Sequence, residues 1–125
     1  MPATILIVED HDAVRRSLRD WLEVEFPRCR VIEAGSGEEA IALLRTESPR
    51  LVLMDISLPG TSGIEATRQI KASLPATHIV MLTIHEGETY RADAIEAGAS
   101  AYVPKRAMQT ELIPTLAALL ANDQD

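Results

Sequence analysis

The sequence has little of what several classes of protein require. One cysteine, Cys29, stands among 125 residues, which excludes an intramolecular disulfide and a thiolate metal cluster and fits a reducing compartment. The aromatic residues are one tryptophan, two tyrosines and one phenylalanine, too few for a base-stacking platform. Lysine and arginine number 12 against 19 acidic residues, and the net charge of −7 repels a phosphate backbone. Direct binding of nucleic acid by this domain is therefore not expected.

Long apolar segments are also missing. No run approaches the roughly eighteen apolar residues that a membrane helix needs, and no basic segment precedes an apolar one at the amino terminus. We therefore expect no membrane contact and a cytoplasmic location. The 46% hydrophobic and 25% charged content is typical of a globular protein, and the length fits one domain over residues 1–125.

Short apolar runs alternate with stretches of helical periodicity. The runs cover residues 4–8, 31–34, 51–54, 79–82 and 101–103. The first, third and fourth lack polar alternation, which indicates strands buried on both faces. Strands joined by helical crossovers are parallel and right-handed. The pattern therefore predicts a doubly wound α/β sheet with helices on both faces, whose ligands bind beyond the carboxyl ends of the strands.

Capping residues mark the predicted helix ends. The predicted N-caps of the first three helices are Asp12, Ser36 and Ser62. Gly98 suits the left-handed residue that follows a helix. Thr110 is predicted to begin the last helix, although Pro114 then falls close to its first turn.

Polar residues follow four of the predicted strands. Glu9 and Asp10 come after the first, Asp55 after the third, Thr83 at the end of the fourth and Lys105 after the fifth. Ordinary explanations exist for each: solvated loop acids, an Asx turn, a capping box for the fourth helix, or a surface charge. Because the carboxyl ends of parallel strands share one edge of a sheet, we nevertheless expect these side chains to gather there.

Three carboxylates at one edge repel one another unless a cation lies among them. Few, partly exposed oxygen ligands suit Mg²⁺, which commonly bridges carboxylates to a phosphate. With Thr83 as hydroxyl donor and Lys105 as a charge for phosphate oxygens, the set predicts a phosphoryl-transfer site with Asp55 as nucleophile. A flavodoxin-like cofactor binder is the alternative, but acids at positions 9, 10 and 12 stand where its phosphate loop should be.

These residues carry a family resemblance. From ILIVEDHD through LVLMDISLPGTSGIEA, IVMLT and GASAYVPK, essentially the whole chain resembles the receiver domain of bacterial two-component response regulators. SLPGTSGIEA and AYVPK are similar to the NarL/FixJ type. The resemblance implies a flavodoxin-like five-stranded sheet in the order 2-1-3-4-5 and a signalling switch rather than an enzyme. The resemblance also implies that the output is transcriptional. That output would belong to a C-terminal domain absent from this chain.

The resemblance also implies roles for single residues. Asp55 would accept a phosphoryl group from the phosphohistidine of a sensor histidine kinase or a phosphotransfer protein. The implied Mg²⁺ ligands are Glu9, Asp10, Asp55 and the carbonyl of Ile56. Thr83 and Lys105 would bind the phosphoryl oxygens, and Tyr102 would be the switch aromatic whose rotamer follows Thr83. An edge-strand aromatic that shields the sheet is the alternative for Tyr102.

Two positions depart from the family pattern. Pro104 precedes Lys105, whereas family members often have a proline after the lysine with a cis bond, so a cis peptide at Lys105 would be a costly non-proline one. Ile84 stands where the family usually has a small residue. We expect it to be a gate that screens Asp55, the alternative being a side chain packed on the fourth helix.

Two further alternatives concern the output. A phosphorylation-dependent homodimer through the fourth helix, fifth strand and last helix is expected. Against this stands the interpretation that the apolar residues of the last helix all belong to the core. Those residues are Leu112, Ile113, Leu116, Leu119 and Leu120. A degenerate receiver that acts by protein contacts without phosphorylation also remains open.

Overall fold

The computed structural model describes residues 2–84 and 87–122, and strands alternate with helices along them. The strands are β1 (Thr4–Val8), β2 (Arg30–Ala34), β3 (Leu51–Met54), β4 (His78–Thr83) and β5 (Ala101–Pro104). The helices are α1 (Asp12–Glu25), α2 (Gly37–Leu43), α3 (Gly63–Ser73), α4 (Glu88–Ala97) and α5 (Met108–Asn122), with a 3₁₀ turn at Lys105–Ala107. Each predicted strand is confirmed to within one residue at either end.

The strands form one parallel sheet in the order β2-β1-β3-β4-β5. This confirms the expected fold and strand order. The register places Val8 beside both Ala34 and Met54, so β1, β2 and β3 end at the same level. The chain residues that follow β1 and β3 are therefore neighbours at the carboxyl edge, where the connections from the central strands leave in opposite directions.

The core has two layers, one on each face of the sheet. Along β1, Leu6 and Val8 point to the layer shared with α2, α3 and α4, while Ile5 and Ile7 point to the layer shared with α1 and α5. Successive side chains of a strand alternate between faces, and both faces here are covered. That is why the sequence of β1 shows no polar alternation.

The last helix contributes its apolar residues to the core. Leu112, Leu116 and Leu120 are buried, and Ile113 and Leu119 pack against the same cluster. The interpretation that this set belongs to the core is thus confirmed for Leu112, Leu116 and Leu120, whereas Ile113 and Leu119 are only partly buried.

The start of that helix was predicted wrongly. Helix α5 begins at Met108, directly after the 3₁₀ turn, and the Thr110 hydroxyl donates to the carbonyl of Ala107. The preceding turn already sets helical geometry, so no capping residue is needed at Thr110. Pro114 consequently lies inside the helix.

Two of the three predicted N-caps are confirmed. The hydroxyls of Ser36 and Ser62 accept from the amides of Glu39 and Glu65, at 3.1 and 3.2 Å. Asp12 is not a cap: it is the first helical residue, after His11. Its carboxylate accepts from Arg15 at 2.7 Å instead, so a side-chain partner competes with the main-chain amides.

Of the other predicted helix ends, one is confirmed and one is wrong. Gly98 follows α4 with φ of 115°, which confirms the left-handed position. The capping box that would use Thr83 is wrong, because Thr83 ends β4 and Gly87 precedes α4. Its second member, Glu86, lies outside the described residues. Within the described part of the chain, no helix has the length and apolar character needed to cross a membrane.

Candidate functional site

Two acids lie at the carboxyl edge of the sheet because their main-chain amides continue the hydrogen bonding of the strands. The amide of Glu9 donates to the carbonyl of Ala34 at 3.1 Å, and that of Asp55 donates to the carbonyl of Val8 at 3.2 Å. Both side chains are nearly removed from water, with exposed fractions of 1% for Glu9 and 6% for Asp55. Buried carboxylates require charged or hydrogen-bonding partners.

Lys105 supplies that partner for both acids. Its Nζ lies 2.9 Å from Glu9 Oε1 and 3.2 Å from Asp55 Oδ2. Burial alone would lower the pKa of the Lys105 ammonium, but the bond to Glu9 and the charge of Asp55 outweigh it and raise that pKa. The other oxygen of Asp55, Oδ1, accepts from the amide of Ser57 at 3.0 Å. The structure thus brings the residues after β1, β3 and β5 together.

Asp10 and His11 complete the acidic side of the site. Asp10 Oδ1 is buried, and among the described residues it has no hydrogen-bond partner. It lies 3.4 Å from His11 Nδ1, which is 3.3 Å from Glu9 Oε2. One potential ligand atom each from Glu9, Asp10 and His11 falls within 4.8 Å of the others. The sequence reasoning missed His11, although it directly follows the two acids.

The donor set fits a divalent cation. Among the described residues, the ammonium of Lys105 bonds Glu9 and Asp55, and the Asp10 carboxylate adds a third negative charge, so a divalent cation would offset the remaining excess. The unpartnered Asp10 oxygen offers a free ligand atom. Carboxylate oxygens are the ligands that Mg²⁺ prefers.

The resemblance also implied the carbonyl of Ile56 as a ligand, and in this structure that carbonyl is engaged within its own loop. The carbonyl oxygen of Ile56 accepts from the amides of both Leu58 and Gly63, each at 3.0 Å. Both lone pairs are therefore used inside the loop between β3 and α3. The direction of this carbonyl depends on how the loop turns back toward α3, which the sequence motif does not reveal.

Thr83 and Tyr102 lie on neighbouring strands beside the site. Thr83 is fully buried at the end of β4, where its Cα pairs with that of Pro104. Tyr102 is 9% exposed and packs in the layer that contains α4. The Arg91 guanidinium of α4 lies 5.9 Å from its ring centroid. Tyr102 is thus turned inward although β5 is an edge strand.

The two departures from the family pattern have clear structural outcomes. No peptide bond is cis in residues 2–84 and 87–122, so Lys105 reaches both acids without one. The side chain of Ile84 is 69% exposed. This degree of exposure is inconsistent with the alternative that Ile84 packs on the fourth helix.

Comparison with known proteins decides the family. The sequence pattern that defines the response regulator receiver domain matches residues 5–117. The chain belongs to the response regulator receiver family. It is therefore a receiver domain of the two-component type and a signalling protein rather than a flavodoxin-like cofactor binder. Receiver domains typically bind Mg²⁺ and interact with histidine kinases or phosphotransfer proteins.

Individual relatives agree with this assignment. The response regulator UvrY of Escherichia coli (strain K12) is 39% identical over 113 residues, 90% of this chain and 51% of UvrY. The transcriptional activator protein ExaE of Pseudomonas putida is 36% identical over 117 residues, 94% of this chain and 55% of ExaE. The receiver chain thus spans about half the length of these curated relatives.

A solved structure shows the same fold. The crystal structure of a LuxR-family two-component response regulator from Aurantimonas sp. SI85-9A1 superposes with a TM-score of 0.89 at 40% identity. The match covers 98% of the receiver and 87% of that chain. The matches to UvrY and to this LuxR-family regulator agree with the NarL/FixJ resemblance.

Proposed function

We propose that this receiver is a phosphorylation-activated switch in which Asp55 accepts a phosphoryl group from the phosphohistidine of a sensor kinase or phosphotransfer protein. The observation that carries the proposal is the position of Asp55, a nearly buried carboxylate that is bonded to Lys105 Nζ at 3.2 Å. Asp55 also lies at the same sheet edge as Glu9 and Asp10. A structural ion pair alone would not require these further acids.

Each residue of the site has its own role in the proposed phosphoryl transfer. A carboxylate oxygen of Asp55 forms a bond to phosphorus while the phosphorus–nitrogen bond of the donor breaks, and the imidazole nitrogen keeps the electron pair. Lys105 carries its positive charge to the phosphoryl oxygens, and the buried hydroxyl of Thr83 is a further donor. Tyr102, on the strand next to Thr83, is the proposed switch residue.

Glu9, Asp10 and Asp55 would hold Mg²⁺. When bound, the ion offsets the negative charge of the incoming phosphoryl group. The ammonium of Lys105 already bridges Glu9 and Asp55, so the protein keeps these two carboxylates paired before the ion arrives. We propose that the output is transcriptional control through a part of a longer protein, since the relative ExaE is a transcriptional activator protein.

The decisive experiment is intact mass after incubation with acetyl phosphate and Mg²⁺. We expect one phosphoryl group on the wild-type protein and none when EDTA replaces Mg²⁺. Asp55→Asn should take up none, whereas Asp20→Asn, which removes an exposed carboxylate from α1, should be labelled like the wild type.

Two results would contradict the proposal. Labelling of Asp55→Asn would mean that another residue is the acceptor. A wild-type protein that stays unmodified with acetyl phosphate and also with a phosphorylated kinase would favour the degenerate receiver that acts by contacts alone.

A further inference from the structure

We propose that Arg15 is a positioning residue that holds the peptide between Glu9 and Asp10 in the orientation the metal site requires. This inference rests on the function proposed above. Arg15 lies on α1 and touches neither Asp10 nor Lys105 among the contacts of the described residues. Its influence on the site is exerted through the main chain of Glu9.

The guanidinium of Arg15 is bonded on all three nitrogens. Nη1 donates to the carbonyl oxygen of Glu9 at 2.8 Å, Nε to Glu33 Oε1 at 2.9 Å and Nη2 to Asp12 Oδ1 at 2.7 Å. The side chain of Arg15 is only 16% exposed. A planar guanidinium fixed by three acceptors has little freedom to rotate.

The bond to Glu9 falls where the sheet ends. The amide of Glu9 still pairs with Ala34 of β2, but its carbonyl lies beyond the last residue of β1. A carbonyl at the end of a buried strand needs a partner, and Arg15 provides it. Because a peptide unit is planar, holding the carbonyl of Glu9 also fixes the amide and Cα of Asp10. One hydrogen bond thus fixes the main chain from which both acidic side chains extend.

Glu33 anchors the arginine from the neighbouring strand. It lies on β2, where its Cα pairs with that of Ile7, and it accepts from both Arg15 and Arg19. The bond to Arg19 is the main reason why the pKa of Glu33 is lowered, with that to Arg15 adding to it against burial. The charged anchor ties α1 to β2, so Arg15 is held in place independently of the two acids.

Comparing Arg15 with Arg19 distinguishes positioning of the Glu9 main chain from a general contribution to the stability of α1 on β2. Arg15 and Arg19 lie one turn apart on α1, carry the same charge and both bond Glu33, whereas Arg15 also bonds the carbonyl of Glu9. Groups that orient metal ligands typically change metal affinity 10- to 100-fold when removed. We therefore expect Arg15→Gln to weaken Mg²⁺ binding about tenfold and Arg19→Gln to leave it within about twofold.

The experiment measures the Mg²⁺ dissociation constant by isothermal titration calorimetry and the melting temperature on the same samples. Arg15→Lys should recover part of the affinity, because one ammonium can still reach the carbonyl of Glu9 but cannot bond Glu33 and Asp12 in the same fork. Glu33→Gln, which keeps Arg15 and loosens its anchor, should give an intermediate affinity.

The outcomes are distinct. Equal Mg²⁺ affinity in Arg15→Gln and Arg19→Gln, whatever their melting temperatures, would overturn the positioning role while leaving the proposed function intact. If Arg15→Gln does not fold, unchanged Mg²⁺ affinity in both Arg15→Lys and Glu33→Gln overturns it equally. A wild-type protein that binds no Mg²⁺ would instead overturn the metal site itself, and the inference with it.

Discussion

Ile84 presents a stiff, β-branched side chain to solvent immediately after Thr83. Because it is 69% exposed, it contributes little to packing, and we propose that it covers the approach to Asp55. In-line attack on phosphorus needs an open path opposite the leaving group. A side chain across that path slows entry of a small phosphodonor and of hydrolytic water alike.

Replacing this side chain gives a test at the residue scale. We expect Ile84→Ala to speed labelling by acetyl phosphate and loss of the aspartyl phosphate severalfold each, with the melting temperature nearly unchanged. Val24→Ala is the matched control, because Val24 is 76% exposed on α1 and should alter neither rate. Unchanged rates in Ile84→Ala would dismiss the gate.

Site residues could be predicted where a charged side chain directly follows a predicted strand. Glu9, Asp55 and Lys105 each follow an apolar run, and the structure brings them together. Their roles in transfer stay predictions. Arg15 was not foreseen, since nothing in a sequence shows which acceptor a long guanidinium side chain reaches. The ligand role implied for the Ile56 carbonyl also stays a prediction, because a motif does not state where a carbonyl points.

At the scale of elements, the join between β3 and α3 depends on one glycine. A Cβ placed on Gly63 would lie 2.0 Å from the carbonyl oxygen of Asp55 and 2.8 Å from the Cα of Ile56. These are backbone atoms, which cannot swing aside as a side chain does. The first residue of α3 therefore has to be glycine for the helix to start this close to the acceptor.

Gly63→Ala should consequently move the loop that carries Asp55. We expect the free energy of unfolding to fall by about 1–3 kcal/mol and labelling by acetyl phosphate to slow. Gly35→Ala is the control for the free energy of unfolding only, because its nearest neighbour would be the end of the Arg15 side chain at 3.5 Å, an ordinary contact. Chemical denaturation and intact mass supply the two measurements. A Gly63→Ala protein of wild-type stability would show that the loop adapts without cost.

Element boundaries were predictable where a local contact sets them. Ser36 and Ser62 cap their helices by bonds within three residues, so the sequence contains the necessary information. The predictions for Asp12 and Thr110 failed because the Asp12 carboxylate bonds the side chain of Arg15 instead of a main-chain amide, and because a 3₁₀ turn already precedes Thr110. The apolar runs predicted the strands well, since strands buried on both faces leave no polar residues in them.

At the scale of the whole molecule, the proposed phosphorylation requires a surface that responds to it. The apolar residues of α5 are committed to the core, but Tyr90 and Ile95 on α4 are 41% and 56% exposed. With a stable phosphoryl mimic, beryllofluoride and Mg²⁺, we expect the protein to dimerise through the face that α4 shares with β5 and α5. Exposed apolar side chains of this kind gain most from contact with a second copy.

Sedimentation velocity tests this expectation. The wild-type protein should sediment as a monomer alone and as a dimer with the mimic, and Ile95→Glu should remain a monomer in both conditions. Val24→Glu, a charge placed on α1, should behave like the wild type. A monomer throughout, in a protein that is shown to bind the mimic, would mean that the response is not self-association.

The strand order of the whole sheet came from the family resemblance and not from the apolar runs. Five similar runs predict that a parallel sheet forms, but they do not say which strand lies beside which. Burial is satisfied by several orders, and the choice among them depends on helix packing over the entire chain.

The ion pair between Glu9 and Lys105 joins positions 96 residues apart. During synthesis, Glu9 is incorporated before Lys105. The interval is about 5–20 seconds at the usual elongation rate of about 5–20 residues per second. A nascent chain to which Lys105 has not yet been added therefore has the acids of the site without their lysine. A chain that ends before β5 never acquires that lysine. On the function proposed above, a chain that accepts a phosphoryl group on Asp55 is therefore one in which β5 has already been synthesised.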